Sequence, residues 1–175
     1  MSDYRQRGRE PHRQGGPRRE GQDGATVELP QFNLSSKNAE VPVELYDETA
    51  RKIAEALVDR PHRGNNANGV SRHQLRRLFD EVKRLKRRLD NRQGDSADQA
   101  WRETLPMVKL VKSKAAYIAA RQKKDKYVGT HYENMKKFID HGIDQIKSQD
   151  DLERFVTLFE AVYGFYYERG GSQTS

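Results

Sequence analysis

Cysteine is absent from the 175 residues. That excludes a disulfide framework and any thiolate metal site, and it fits a reducing cytosol. Long apolar runs are missing as well. No stretch approaches the roughly 18 apolar residues of a membrane helix, and the first residues lack the apolar core of a signal peptide. The chain therefore reads as soluble and cytoplasmic, with no membrane partner. Tryptophan is reduced to Trp101 alone, while charge is abundant: charged residues make up 34% of the chain, equal to the hydrophobic share, and mean hydropathy is −1.07. A chain of this length supports one compact domain, and with so little apolar material part of it must lie outside the core.

Composition divides the chain in three. Residues 1–24 are rich in Arg, Gly, Gln and Pro, with six Arg against four acids and almost nothing to bury. Such a segment cannot repay the entropy of ordering, so residues 1–26 are expected to be a disordered Arg/Gly-rich tail. Residues 27–45, with Pro30 and Pro42, read as an extended linker, and residues 46–170 as a helical domain. The fold class expected is all-α, a compact bundle of five to six helices.

Helical signals carry that expectation. Asp47 is placed to cap a first helix running to about Arg60 before a Gly/Asn loop. Ser71 and Gln74 have the spacing of a capping box for a second helix. On it Leu75, Leu78, Phe79, Val82, Leu85 and Leu89 fall within an arc of roughly 120°. A short piece holding Trp101 precedes a longer helix expected to begin near Pro106. Thr130 with Glu133 suggests a capping box for the next helix, and Ser148 a cap for the last, which Gly170 and Gly171 end. That last helix has an apolar arc wider than one packing groove needs, as a central core helix or a contact with another subunit would require.

Charge is distributed unevenly. Residues 71–92 hold nine Lys/Arg against three acids and residues 104–126 seven against one, whereas 25–61 and 127–175 each carry a net −3. A solvated face normally mixes signs, so two consecutive basic helices favour a polyanion partner. On the second helix Arg72, Arg76, Lys83 and Arg87 flank one side of the apolar arc. Arg77, Arg84 and Arg88 flank the other. The basic residues together span roughly 20 Å, enough to follow several phosphates. Tyr117, between Lys114 and Arg121, adds a candidate for base stacking, as does Tyr127 beside the Lys-rich end; a tyrosine at a core edge is the plainer account of both.

Catalytic chemistry is not visible. GNNANGVS (64–71) imitates a phosphate-binding loop, but Val70 stands where the lysine is needed and no strand precedes it. The histidines lack metal-site spacing, and His131 and His141 are expected on a helix surface. Adjacent acids such as Asp80–Glu81 and Asp150–Asp151 point in different directions on a helix. No enzyme, no metal and no cofactor is expected.

Three segments in order, VSRHQLRRLFDEVKRL, LPMVKLVKSKAAYIAAR and FIDHGIDQIKSQDDLERFVTLFEAVYGFY, resemble the small helical subunit of type III-A CRISPR effector (Csm) complexes. The resemblance covers about residues 45 to 167 and leaves the tail outside. It implies a non-catalytic subunit stacked in several copies along the guide–target RNA path, beside backbone and large catalytic subunits, in antiviral defence. The RNA-contact candidates that it and the charge pattern indicate are Arg72, Arg76, Arg77, Lys83, Arg84, Arg87, Lys109, Lys112, Lys114, Tyr117 and Arg121. A stand-alone helical nucleic-acid-binding protein, of nucleoid or ribosome-associated type, stays open as the alternative.

Overall fold

A computed structural model describes residues 28–35, 40–58, 69–92, 96–125 and 128–170. The tail, most of the phosphate-loop look-alike and Tyr127 lie outside the described residues. Within them a 3-10 turn at Val43–Tyr46 precedes five helices: α1 Glu48–Leu57, α2 Arg72–Asp90, α3 Ala97–Gln122, α4 Gly129–Gln145 and α5 Gln149–Glu168. The fold is an all-α bundle.

The helices close a ring. Going round it, α1 packs on α5, α5 on α2, α2 on α3, α3 on α4, and α4 back on α1, while α4 and α5 meet only briefly across the middle. Each helix turns its apolar stripe inward. α2 buries Leu75, Leu78, Phe79, Val82 and Leu85, the face its spacing indicates, with Leu89 half-buried at the edge. The wide arc of α5, from Leu152 to Tyr166, is used within the chain, since α1, α2 and α4 all pack against it. In the stretch before the helices, Phe32 and Leu34 are buried in the same core. That stretch is pinned by Gln145, whose Oε1 accepts from Leu34 N at 2.8 Å and whose Nε2 donates to Phe32 O at 3.1 Å.

The helix ends differ from the sequence expectation more than the faces do. α1 stops at Leu57 rather than near Arg60, because Val58 pairs with Gly69 and Val70 N donates back to Leu57 O at 3.0 Å. Asp47 makes no side-chain cap. α3 is one continuous helix through Pro106, not a short piece followed by a longer one. Pro106 is exposed, where water can serve the freed carbonyl, and buried Ala100, Thr104, Val108 and Val111 run past it on one face. The Thr130–Glu133 box does not form, since α4 begins at Gly129 and its start is held by Asp125 Oδ1, 3.1 Å from Val128 N. The Ser148 cap does form, and with Asp151 it makes a complete capping box.

The two histidines expected at the surface are drawn inward by free carbonyls. His131 is buried with Nδ1 3.0 Å from Ala56 O, which also accepts from Asn134 Nδ2 at 3.0 Å, so both serve the C-terminal end of α1. His141 is half-buried with Nε2 2.7 Å from Phe32 O.

Gly142 marks the tightest approach in the core. A Cβ there would lie 2.1 Å from Phe155 Cε2 and 2.6 Å from Cδ2, whereas one at Gly164 would meet nothing within 4 Å. Gly142→Ala is therefore expected to destabilise by about 1–3 kcal/mol through overpacking. Gly164→Ala should instead add about 0.5–1 kcal/mol by favouring the helix. Urea unfolding of the two variants beside the parent chain measures both signs.

Candidate nucleic-acid interface

The ring order places the two basic helices side by side, with α2 as a crest between α3 and α5. On the α3 side runs a groove of about 450 Å³ whose walls include Arg77, Glu81, Lys114, Tyr117 and Arg121. Glu81 holds two cations from different helices: Lys114 Nζ donates to its carboxylate at 2.7 Å and Arg84 Nη2 at 2.8 Å. The hydrogen bond from Lys114 is the main reason that the Glu81 carboxyl titrates below the usual range. Tyr117 is 64% exposed, and the Arg121 guanidinium stands 5.8 Å from its ring centroid. Arg77 and Arg87 are exposed and make no ion pair among the described residues.

The α5 side of the crest is more self-contained. Arg76 pairs with Asp80 at 3.0 Å and Lys83 with Glu160 at 3.4 Å. Aromatic rings of the α2–α5 seam take the remaining cation contacts: Lys83 lies 5.0 Å from the Phe79 centroid, Arg76 5.9 Å from Tyr163 and Arg72 4.8 Å from Tyr167. Tyr163 and Tyr167 sit four residues apart on α5 with their hydroxyls 3.1 Å apart. Their spacing is visible in the sequence, but nothing local says that arginines of α2 will lie over them.

Lys109 and Lys112 do not join this surface. Lys112 and Lys114 are two positions apart, so they sit about 160° apart around the axis of α3. Lys109 Nζ donates to Ile143 O at 2.7 Å and Lys112 Nζ to Asp144 at 2.8 Å, both at the C-terminal end of α4. That end carries the negative pole of the helix dipole, where cations stabilise. The Lys112 hydrogen bond, the largest cause, holds the Asp144 carboxyl below the usual range. Arg88, outside the candidate set, donates to Met107 Sδ at 3.3 Å.

Among the described residues no group of three or more His, Asp or Glu side chains could hold a metal ion, and no helix is long and apolar enough to cross a membrane. Fold and surface thus define a small all-α protein organised around one basic face. A family model, Csm2 Type III-A, matches residues 43–171. The chain belongs to that family, and so is a small subunit of a multi-subunit type III-A CRISPR Csm complex. Comparison with curated proteins and with solved structures gave no match.

The two interhelix carboxylates make the bundle acid-sensitive. A depressed folded-state pKa contributes stability that is present above the unfolded value and is lost as pH falls through the folded one. Glu81→Gln and Asp144→Asn are each expected to unfold more easily than the parent near neutrality, with the gap narrowing as pH falls below the ordinary carboxylate range. Urea melts across that fall in pH measure the narrowing. A gap that stays constant with pH would show that the two ties contribute nothing through ionisation.

Proposed function

We propose that this chain is a non-catalytic, RNA-facing building block of its complex, repeated in several copies along the guide–target RNA path in the cytoplasm. Its partners are the guide and target RNA, the backbone and large catalytic subunits, and copies of itself. The observation that carries this reading is the α2–α3 groove: Arg77, Lys114 and Arg121 line it with exposed Tyr117 and one acid, Glu81, which pairs with Lys114 and with Arg84. Cations so arranged neutralise phosphates with little sequence preference, and a tyrosine face accepts any base. An exposed ion pair is worth about 0–1 kcal/mol, so a phosphate competes readily with Glu81 for Lys114 and Arg84. The acidic flanks, with net −3 on residues 127–175, also suit head-to-tail contact with the basic pair of a neighbouring copy.

Native pull-down with RNA sequencing and mass spectrometry tests the assignment. A short repeat-derived guide RNA with large effector subunits is the expected recovery. Bulk nucleic acid without those subunits would instead make the chain a stand-alone binder.

Charge reversal of Arg77, Lys114 and Arg121 together should weaken target-RNA capture by the assembled complex. It should also lower the log–log salt slope by about two, as for three contacts to a single strand. Lys109→Ala with Lys112→Ala should lower thermal stability and leave capture intact. Filter binding across salt concentrations separates the two, and an unchanged slope in the triple variant would remove the groove as the contact surface.

A further inference from the structure

Most ion pairs among the described residues carry the acid on the outside. In the pair of Lys112 with Asp144 the side chains are 32% and 60% exposed. Asp90, Glu153, Glu160 and Glu103 likewise stand further out than the cations they meet. A ligand phosphate approaching such a pair meets a carboxylate first and is repelled.

The pairs of Glu81 are inverted. Its side chain is 21% exposed, while that of Arg84 is 62% and that of Lys114 46% exposed. The carboxylate thus lies beneath two cations, one from each basic helix, and both bond the same oxygen, Oε1, at 2.8 and 2.7 Å. Arg and Lys carry their charge at the end of long flexible stems, whereas Glu81 is short and set low between the helices. A change of rotamer therefore lifts either cation off Glu81 and toward a ligand, with no movement of α2 or α3.

Glu81 also stands at a junction. With Arg77 it lines both the α2–α3 groove and a second open depression, of about 570 Å³, along the crest of α2. Arg84 and Arg87 belong to that second depression and Lys114 to the groove. The one carboxylate therefore draws down a cation from each, at the point where the two meet.

We propose that Glu81 is an internal stand-in for phosphate. In the free chain it positions Lys114 and Arg84, and a backbone phosphate of the RNA takes them over, so Glu81 limits the affinity of the surface. This rests on the RNA-facing reading above. A residue that merely braced the seam would lose stability and binding together. Glu81 acts on the two with opposite signs, because the tie that adds stability is the one that RNA must break.

Filter binding of the full chain to a short single-stranded oligoribonucleotide at low salt, beside urea unfolding, tests the assignment. Glu81→Gln keeps nearly the same shape without the charge. It should bind the RNA about three- to tenfold more tightly, as for release of two exposed ion pairs, although it unfolds more easily. Asp80→Asn removes the same charge one position away, where the partner is Arg76 on the α5 side. It should change affinity by less than about twofold. In an Arg84→Ala, Lys114→Ala background the gain from Glu81→Gln should shrink to that of Asp80→Asn. Equal gains from Glu81→Gln and Asp80→Asn in the parent chain would make Glu81 one charge among many and overturn the proposal. Unchanged or weaker binding by Glu81→Gln would make it a brace and overturn the proposal as well. Either result, with the parent chain binding RNA, leaves the RNA-facing reading standing. RNA binding by neither the parent nor the variants would remove that reading and the proposal with it.

Discussion

A continuous chain of aromatic rings crosses the centre of this bundle, and the placing of α2, α4 and α5 depends on it. Phe32 lies 5.8 Å from Phe138, Phe138 5.6 Å from Phe155 and 5.2 Å from Phe159, Phe159 5.3 Å from Phe79, and Phe79 5.4 Å from Tyr163. These rings come from the N-terminal stretch, α4, α5 and α2, so the chain ties together elements distant in sequence. Ring pairs at such separations add about 0.5–1.5 kcal/mol each beyond the area they bury. The chain also needs room, which Gly142 provides by leaving a notch for Phe155. α4 and α5 thereby meet through one interlocked ring rather than along their lengths, and the other three helices complete the circuit around them.

That inward commitment decides where charge goes. With its apolar arc held by Phe79 and Leu78, α2 must present its cations on either flank, toward α3 or toward α5. The flanks differ because the neighbours differ. α5 offers Glu160 and tyrosine rings, which occupy Lys83, Arg76 and Arg72. α3 offers further cations, and the one acid lining the groove between them is Glu81 of α2 itself. The basic excess therefore collects in the α2–α3 groove, and ring closure puts α1, whose charges balance, on the far side. Part of the positive charge is used structurally, Lys109 and Lys112 serving the end of α4. A basic residue in a basic helix is thus not by that fact a nucleic-acid contact.

Apolar periodicity was legible because a helix buries what lies on one side of its axis, and sequence spacing alone gives that side. The arcs of α2 and α5 and the all-α class follow from it, as does the separation of basic from acidic segments. Helix termini were less legible, because a cap competes with any group the tertiary fold brings near. The Ser71–Gln74 pattern looks complete in the sequence, yet Tyr132 from 61 residues away occupies both its backbone donor and its side-chain acceptor. His131 likewise meets Ala56 O across 75 residues. Pro106 reads as a helix start, and only its exposed position on a face already secured by Val108 and Val111 allows α3 to run through it.

The sequence by itself determined which apolar faces of α2 and α5 would turn inward, that the fold would be helical, and that two adjacent helices would carry the positive charge. These are properties of short segments, set by spacing and composition. The resemblance of three ordered segments also pointed to the family. Pairs within one helix, such as Arg76 with Asp80 and Arg84 with Glu81, follow from spacing; only the tertiary structure decided which cations meet a partner on another helix. Lys109 finds Ile143 O 34 residues on, and Lys114 finds Glu81 33 residues back. In water, exposed charges are weakened by the solvent and screened beyond roughly 10 Å, so the role of a charge is set by what the fold places beside it.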